Sequence, residues 1–181
     1  MRLPVLILAI LFLASCGSDK NKQKDQPDIN PDNYMDEMED ANQYYTVSES
    51  DQIDDYAERM GWDMIKTGTG LRYLIYENGT GRMVENKLVV RFEFKVNLLN
   101  GAVCYDSDKQ GPKEVWSGHA VVESGIEEGL QLLREGDHAK FILPSHLAFG
   151  WLGDSEQIPT RAVLIYDVHV LEVRDYSPEI Y

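Results

Sequence analysis

The side chains in this sequence that could bind a metal or form a covalent intermediate are four histidines, two cysteines and an acidic run at Asp36–Asp40. The histidines are His119, His138, His146 and His169. They show no H-E-x-x-H spacing, and no G-x-S-x-G motif supplies a nucleophilic serine. The acidic run lacks the alternating pattern of a calcium loop and is typical of a solvated face. The sequence therefore predicts a site that uses neither a metal nor a nucleophile.

Composition limits the class of protein and its partners. The chain has 181 residues, of which 43% are apolar and 27% are charged, as is typical of one soluble domain with an appendage. Its 31 acidic residues outnumber 17 basic ones, and the net charge is -14. Because phosphate binding needs clustered lysine and arginine, we expect no nucleic acid partner.

Residues 1–15 have the pattern of a secretory signal peptide. Arg2 precedes the apolar run Leu3–Ala14, which is too short to span a bilayer as a helix. The run ends in Leu13-Ala14-Ser15-Cys16, which resembles a bacterial lipobox. That resemblance implies cleavage before Cys16, lipidation of Cys16, and anchoring to a membrane of the cell envelope, facing the periplasm or the cell exterior. An ordinary signal peptide with an incidental cysteine is the alternative.

Two segments follow the signal peptide. Residues 16–33 are polar and charged and are expected to form a flexible tether. Residues 34–69 predict a helical lead-in, with a short acidic helix over 34–42 and a second helix over 50–60 that Gly61 ends. Cys104 is then the single unlipidated cysteine, so no internal disulfide can form, and we expect it to be a buried apolar residue.

A short amphipathic helix is predicted near the middle of the chain. Ser124 is expected to cap it, with Glu127 closing a capping box, and Gly136 is expected to end it. Its apolar face carries Ile126, Leu130 and Leu133. After the next strand comes a loop over residues 144–160, whose length favours a functional role over a purely connecting one.

Strands are predicted on both sides of this helix. The clearest covers Lys87–Leu99, where apolar and polar residues alternate, and Asn100-Gly101 after it indicates a hairpin. Further strands are predicted over residues 71–75, 102–106, 113–117, 138–143 and 164–170. This order of elements predicts an α+β fold in which a bent antiparallel β-sheet wraps around one short α-helix.

The stretch from Gly70 to Val173 resembles the FKBP family of peptidyl-prolyl isomerases. The residues that carry the resemblance are Gly125, Glu127-Glu128-Gly129-Leu130, Glu135-Gly136, Ala139-Lys140-Phe141, Pro144, Ala148-Phe149-Gly150, Ile158-Pro159, Leu164 and Asp167-Val168. The resemblance implies an FKBP-type domain over residues 70–174, followed by a tail over 175–181. It also implies catalysis without a cofactor, because rotation about an Xaa–Pro bond needs only a pocket that favours the twisted imide.

The resemblance also implies which residues form the site. In catalytic positions it places Asp106, Phe149 and Tyr166. In substrate-binding positions it places Phe94, Tyr105, Val122, Glu123, Ile126 and Ile158, with Glu123 offering its backbone N–H to a substrate carbonyl. Phe94 and Phe149 stand where the family has tyrosine, and Ile126 stands where tryptophan is usual. One extra residue lies between Gly101 and Tyr105, which leaves the register there open by one.

These features together predict a lipid-anchored prolyl isomerase that acts on proline-containing polypeptides in the cell envelope. The combination of lipobox, helical lead-in and FKBP domain resembles gliding-motility-associated FKBP-type lipoproteins of the Bacteroidetes group, which implies service to gliding motility or secretion machinery. The alternative is a non-catalytic binding or chaperone module that keeps the pocket shape. The helical lead-in either packs on the domain or acts as a dimerisation arm, which would make a homodimer.

Overall fold

The computed structural model describes residues 31–119 and 122–177. The predicted signal peptide, Cys16, most of the tether and the last four residues of the tail lie outside this part of the chain. Residues 39–181 form a separate compact unit from residues 1–38. The sheet and all of the predicted site residues belong to that larger unit.

Helices and strands are interspersed along the chain, and the longest connection is the loop before the last strand. They are α1 (Pro31–Met60), β1 (Ile65–Lys66), β2 (Arg72–Glu77), β3 (Leu88–Leu98), β4 (Val103–Asp106), α2 (Ser107–Gln110), β5 (Lys113–Trp116), α3 (Ser124–Leu130), β6 (His138–Leu143), a 3-10 turn (Ser145–Leu147) and β7 (Leu164–Asp175). The strands form an antiparallel sheet in the order β1-β2-β6-β7-β3-β4, with β5 also paired to β3. The predicted α+β fold is confirmed.

Strand register gives the sheet one apolar face and an opposite face that carries a row of charged residues. An apolar row crosses five strands through the cross-strand partners Tyr73, Phe141, Tyr166, Val96 and Tyr105. The adjacent row crosses the same strands through Leu74, Lys140, Asp167, Lys95 and Asp106. Because successive side chains on a strand point to opposite faces, the two rows lie on opposite sides of the sheet.

The short helix α3 packs on the apolar face. Two glycines allow this close approach: a Cβ atom on Gly125 would lie 2.7 Å from the Leu143 side chain, and one on Gly129 would lie 2.9 Å from the Phe141 ring. The neighbouring helix residues Ile126 and Leu130 are buried in the same interface with the sheet. The helix therefore carries glycine at two interior positions at some cost in helix propensity, because a larger residue would push it away from β6.

The predicted capping of α3 is wrong in its details. The helix is preceded by Glu123 as N-cap residue without a side-chain cap, while the Ser124 hydroxyl donates to the Leu147 carbonyl. The Glu127 carboxylate accepts instead from Ser117 and from the Gly118 N–H, because the turn after β5 lies against this helix. Gly136 does not end the helix, which stops at Leu130, although its φ of 91° marks the tight turn into β6.

Helix α1 is one helix of 30 residues, whereas the sequence predicted two shorter ones. No glycine or proline interrupts residues 43–49, so the backbone has no reason to break there. Its C-terminal half packs on the face of the sheet away from α3, where Ile53 and Ala57 meet Ile142 and Ile165. This packing agrees with the interpretation in which the helical lead-in packs on the domain. Among the described helices, none is both long and apolar enough to cross a membrane.

A buried arginine fastens α1 to β2. The Arg72 guanidinium, whose side chain is 2% exposed, donates to both carboxylate oxygens of Asp54 at 2.9 Å. It also donates to the Ser50 hydroxyl at 2.7 Å and to the Gly70 carbonyl at 2.6 Å. Bidentate pairing with further hydrogen bonds is what allows a guanidinium to be buried in this way.

Candidate functional site

The structure brings most of the predicted site residues into one apolar cluster. Ile126, Ile158 and Tyr166 are buried in the core between α3 and the sheet. Tyr105, Val122 and Phe149 are half-buried and pack against that same core. They come from β4, from the residues before α3 and from the long loop. Partly exposed apolar side chains above a buried apolar floor are what an apolar ligand ring needs.

Phe94 belongs to the same cluster and, like Ile126, Ile158 and Tyr166, is buried in it. Its side chain is 3% exposed, and its ring lies 6.1 Å from the Phe92 ring in an edge-to-face arrangement. The Lys113 ammonium lies over the Phe94 ring, 4.9 Å from its centroid. The Phe94 N–H donates to the Ser107 hydroxyl at 3.1 Å. Phe94 therefore supports the wall of the cluster, and its substrate-binding role stays a prediction.

One polar contact crosses this apolar cluster. The Tyr166 hydroxyl donates to Oε1 of Glu123 at 3.0 Å. Burial raises the pKa of the Tyr166 phenol well above its ordinary value, and the Glu123 charge and hydrogen bond raise it further. Tyr166 therefore stays a neutral donor at every physiological pH, and its hydroxyl is directed at the carboxylate.

The backbone of Glu123 starts helix α3 and carries the donor that the resemblance implies for a substrate carbonyl. Its carbonyl accepts from the Ile126 and Glu127 N–H groups at 2.9 and 3.0 Å, which starts helix α3. Across residues 31–119 and 122–177, no group accepts a hydrogen bond from the Glu123 N–H. This is the position at which the sequence predicts a donor to a substrate carbonyl.

Asp154, which the sequence analysis did not single out, organises the long loop. Its Oδ1 accepts from the N–H groups of Glu156, Gln157 and Ile158 at 2.8, 3.0 and 2.8 Å. Its other oxygen accepts from the Tyr105 hydroxyl. Burial tends to raise the pKa of this carboxyl, but the bonds from Tyr105 and the three N–H groups outweigh it, and the pKa is lowered. An aspartate followed by residues whose N–H groups it can cap is a recognisable loop signal.

Asp106 lies outside the apolar cluster, although it lines a surface cavity together with Phe94. It is the cross-strand partner of Lys95 on the charged face, with Lys95 Nζ 3.7 Å from its Oδ2. Its Oδ1 accepts from the Asp108 N–H at 2.9 Å and so caps α2. In the described structure, Asp106 makes no hydrogen bond or ion pair with Tyr166 or Glu123. Its capping contact is structural, and its catalytic role stays a prediction.

The extra residue after Gly101 is absorbed by a bulge. Val96 pairs with Tyr105 and the next residue, Asn97, pairs with Val103, so Cys104 is the additional residue on β4. Cys104 is 7% exposed and its thiol donates to the Gln157 carbonyl at 3.6 Å. Burial raises the pKa of this thiol. The expectation of a buried cysteine is therefore confirmed, and the bulge keeps Tyr105 on the apolar face.

Helix α1 reaches the same long loop from the other side, through a cluster that sequence patterns did not reveal. The Arg161 guanidinium lies over the Tyr45 ring, 3.5 Å from its centroid, and 4.8 Å from the Trp151 centroid. It also donates to Glu49 at 2.9 Å, and Glu49 accepts from the N–H and hydroxyl of Ser145. The contacts join residues far apart in sequence, so no local pattern could predict them.

No metal-binding arrangement is found in the part of the chain that the structure describes, where no group of three or more His, Cys, Asp and Glu residues could hold an ion. His138 and His169 stack with their ring centroids 3.8 Å apart on the charged face. Each points toward a glutamate on its outer side, Glu77 and Glu93 respectively. The arrangement is a row of cross-strand pairs, with no convergence of ligands on a common point.

Comparison with known proteins agrees with this geometry. A family model described as FKBP-type peptidyl-prolyl cis-trans isomerase matches residues 80–171, about half of the chain. A probable isomerase of this type, FkpA of Neisseria meningitidis, is 34% identical over 117 residues, which cover 64% of this chain and 43% of that protein. A second probable isomerase, from Haemophilus influenzae, is 32% identical over 117 residues, covering 65% of this chain and 48% of that protein.

Two further relatives extend the comparison. The macrophage infectivity potentiator of Trypanosoma cruzi is 27% identical over 142 residues, covering 71% of each chain. The crystal structure of AtFKBP13 matches with a TM-score of 0.59 and 21% identity, covering 61% of this chain and 98% of that one. The structural likeness bears on the fold. The chain spans less than half the length of the two bacterial relatives it matches.

Proposed function

The chain belongs to the family of FKBP-type peptidyl-prolyl cis-trans isomerases, and on that premise we propose that it accelerates cis-trans rotation about Xaa–Pro bonds in polypeptides. An Xaa–Pro bond rotates in tens to hundreds of seconds without help. The barrier of about 18–20 kcal/mol arises from resonance that makes the C–N bond partly double. A site that favours the twisted imide lowers this barrier without a nucleophile.

The observation that carries the proposal is the backbone N–H of Glu123, which has no acceptor among residues 31–119 and 122–177 and lies beside an apolar floor. The half-buried side chains of Tyr105, Val122 and Phe149 offer an apolar surface for the proline ring, above the buried floor of Ile126, Ile158 and Tyr166. A dry environment weakens the charge-separated resonance form of the imide, which water would stabilise. The Glu123 N–H can hold the substrate carbonyl as it rotates out of plane. A contact of this kind speeds the step only to the extent that it is stronger in the twisted state.

Exchange spectroscopy by NMR on a peptide Ala-Leu-Pro-Phe tests the activity directly. The purified chain is expected to accelerate cis-trans exchange above the uncatalysed rate. Val122→Glu should remove most of the acceleration, because it places a charge on the apolar rim. The matched control is Val103→Glu on the neighbouring strand, where the valine is 45% exposed and lies outside the apolar cluster. Equal loss in both variants, or no acceleration by the folded wild-type chain, would reject the proposal.

The second part of the proposal is that the mature protein is anchored in the cell envelope by a lipid on Cys16. It is supported by the sequence Leu13-Ala14-Ser15-Cys16 after an apolar run too short to span a bilayer. Cys16→Ser should move the processed protein from the membrane to the soluble fraction. Ser15→Ala keeps a small residue before the cysteine and should leave the protein in the membrane. A processed Cys16→Ser variant that stays in the membrane would refute the lipid anchor.

The clients that fit this location are proline-containing polypeptides of the envelope, including those of gliding-motility or secretion machinery. A second candidate function, a non-catalytic binding module, is favoured by the hydroxyls missing at Phe94 and Phe149. The two candidates differ in one result. A binding module would shift the NMR signals of the proline peptide without accelerating its exchange.

A further inference from the structure

The carboxylate of Glu123 is an unusual group for an apolar site. The residue is half-buried between Val122 and the start of α3, and Oε1 accepts from the Tyr166 hydroxyl at 3.0 Å. Tyr166 itself is 2% exposed in the floor of the apolar cluster. A single hydrogen bond from a neutral phenol satisfies only part of the accepting capacity of a carboxylate.

The second oxygen of this carboxylate has no partner. Oε2 is shielded from solvent and, in the residues that the structure describes, accepts no hydrogen bond. A buried carboxylate oxygen without a donor is costly, and such groups are satisfied by water or by a ligand. Glu123 therefore has an unfilled requirement for a hydrogen-bond donor next to the apolar cluster.

A second carboxylate, Asp154, lies near the apolar cluster, and the nearby Lys113 ammonium is placed over the Phe94 ring. Asp154 accepts from Tyr105, whose phenol pKa is raised by that hydrogen bond, by burial and by the charges of Asp154 and Glu156. Both tyrosines thus remain neutral, and each hydroxyl is already donated to a carboxylate. Neither can supply the donor that the second Glu123 oxygen lacks.

We propose that Glu123 determines substrate specificity by selecting polypeptides that carry lysine or arginine beside the proline. The proposal rests on the proposed isomerase function and names the substrate class of that site. Because the residue as a whole is half-buried, rotation of its side chain can present Oε2 to an ammonium or guanidinium group, which brings a donor and a compensating charge. A purely apolar neighbour would leave the carboxylate unsatisfied. Sites built to bond a polar group discriminate strongly against ligands that lack it. The net charge of -14 also attracts cationic chains.

The test measures kcat/KM by NMR exchange for peptides Ala-Xaa-Pro-Phe in which Xaa is lysine, arginine, glutamine, leucine or glutamate. The full chain should favour lysine and arginine over leucine by about tenfold, as expected for a hydrogen bond to a charged group, and should disfavour glutamate. Glu123→Gln should lower the lysine-to-leucine ratio toward one. Tyr166→Phe should raise that ratio, because the carboxylate loses its internal donor. A general loss of structure would not move the two ratios in opposite directions.

The matched control is Glu128→Gln, which removes the same charge from the same helix. Its carboxylate bonds the exposed Thr69 hydroxyl at 2.7 Å, so the lysine-to-leucine ratio should stay that of the wild-type chain. Thermal melts confirm that each variant is folded. If Glu123→Gln keeps the wild-type ratio while leucine peptides are still turned over, the inference is overturned and the isomerase function stands. If no peptide exchanges faster with the wild-type chain, the isomerase function itself fails, and the specificity with it.

Discussion

Arg161 stacks on Tyr45, with the guanidinium carbon 3.5 Å from the ring centroid, and so joins the end of the long loop to helix α1. The same guanidinium bonds Glu49, whose carboxylate is 6% exposed and also accepts from Ser145 at the start of that loop. Arg161 N–H donates to the Gly150 carbonyl at 2.8 Å, which closes the loop on itself. The N-terminal helix therefore fixes both ends of the segment that carries Phe149 and Ile158.

Arg161→Ala should destabilise the protein by about 2 kcal/mol or more, because it removes a stacked cation and leaves part of the buried Glu49 charge unpaired. The stability of Arg161→Lys should lie between that of the wild-type chain and that of Arg161→Ala, because lysine keeps the charge but lacks the planar guanidinium. Urea unfolding measures both. Arg82→Ala is the control, because its ion pair with Asp175 is exposed and should change stability little. Equal midpoints for Arg161→Ala and Arg82→Ala would mean that α1 does not hold the loop.

Asp154 makes loop stability depend on pH at the acidic end. Its folded-state pKa lies below the ordinary value of 3.8, so its stabilising effect is fully present above that value and is lost as pH falls through the folded pKa. Asp154→Asn should therefore melt at a lower temperature than wild type at neutral pH, and the two melting temperatures should converge as the pH falls through the folded-state pKa of Asp154. The exposed Asp51→Asn is the control. A difference that is constant from neutral to acidic pH would rule out the charge of Asp154 as its cause.

Asp106 offers a way to separate a structural from a catalytic role. Asp106→Ala should cost about 1 kcal/mol because α2 loses its cap, whereas Asp106→Asn keeps a good capping side chain and should be close to wild type in stability. Urea unfolding and the peptide exchange assay are measured on both. If Asp106→Asn keeps full activity, Asp106 acts through the cap alone. A large loss of kcat/KM in a stable Asp106→Asn would instead support the catalytic role predicted from the sequence.

Much of the sheet was predictable because its signals are local. The alternation along β3 correctly predicted which of its side chains face the core, and Asn100-Gly101 correctly predicted the hairpin. The capping box of α3 was wrong because a turn brought by β5 competes for Glu127. The sequence predicts two helices in place of α1, because possible caps and apolar spacing indicate a break near residues 43–49. In the structure, Glu49 lies inside one continuous helix and accepts a hydrogen bond from Arg161 next to the loop.

The site residues likewise fall into a group that the sequence predicted and a group that it did not. The apolar members were predictable as a group, since a matching order of motifs places them on one side of the sheet. The polar contacts that organise them were not, because Tyr166–Glu123, Tyr105–Asp154 and Arg161–Tyr45 each join residues at least 43 positions apart. Their formation depends on register and on the bulge at Cys104, which the sequence left open.

The last prediction concerns Phe149, which is half-buried at the rim of the apolar cluster and lacks a hydroxyl. Phe149→Tyr should raise kcat/KM about three- to tenfold, because one net hydrogen bond is worth about 0.5–1.5 kcal/mol and each tenfold in rate corresponds to about 1.4 kcal/mol. The added hydroxyl should act on the twisted imide, so the gain should appear in kcat more than in KM.

Phe92→Tyr is the matched control, since it adds the same hydroxyl to a ring that is fully buried in the neighbouring core. That hydroxyl would have no partner, so the variant should lose stability without a gain in kcat/KM. Peptide exchange by NMR and thermal melting distinguish the two effects. If Phe149→Tyr is stable but no faster than wild type, the ring edge does not face the twisted imide. Phe149 then contributes apolar packing alone.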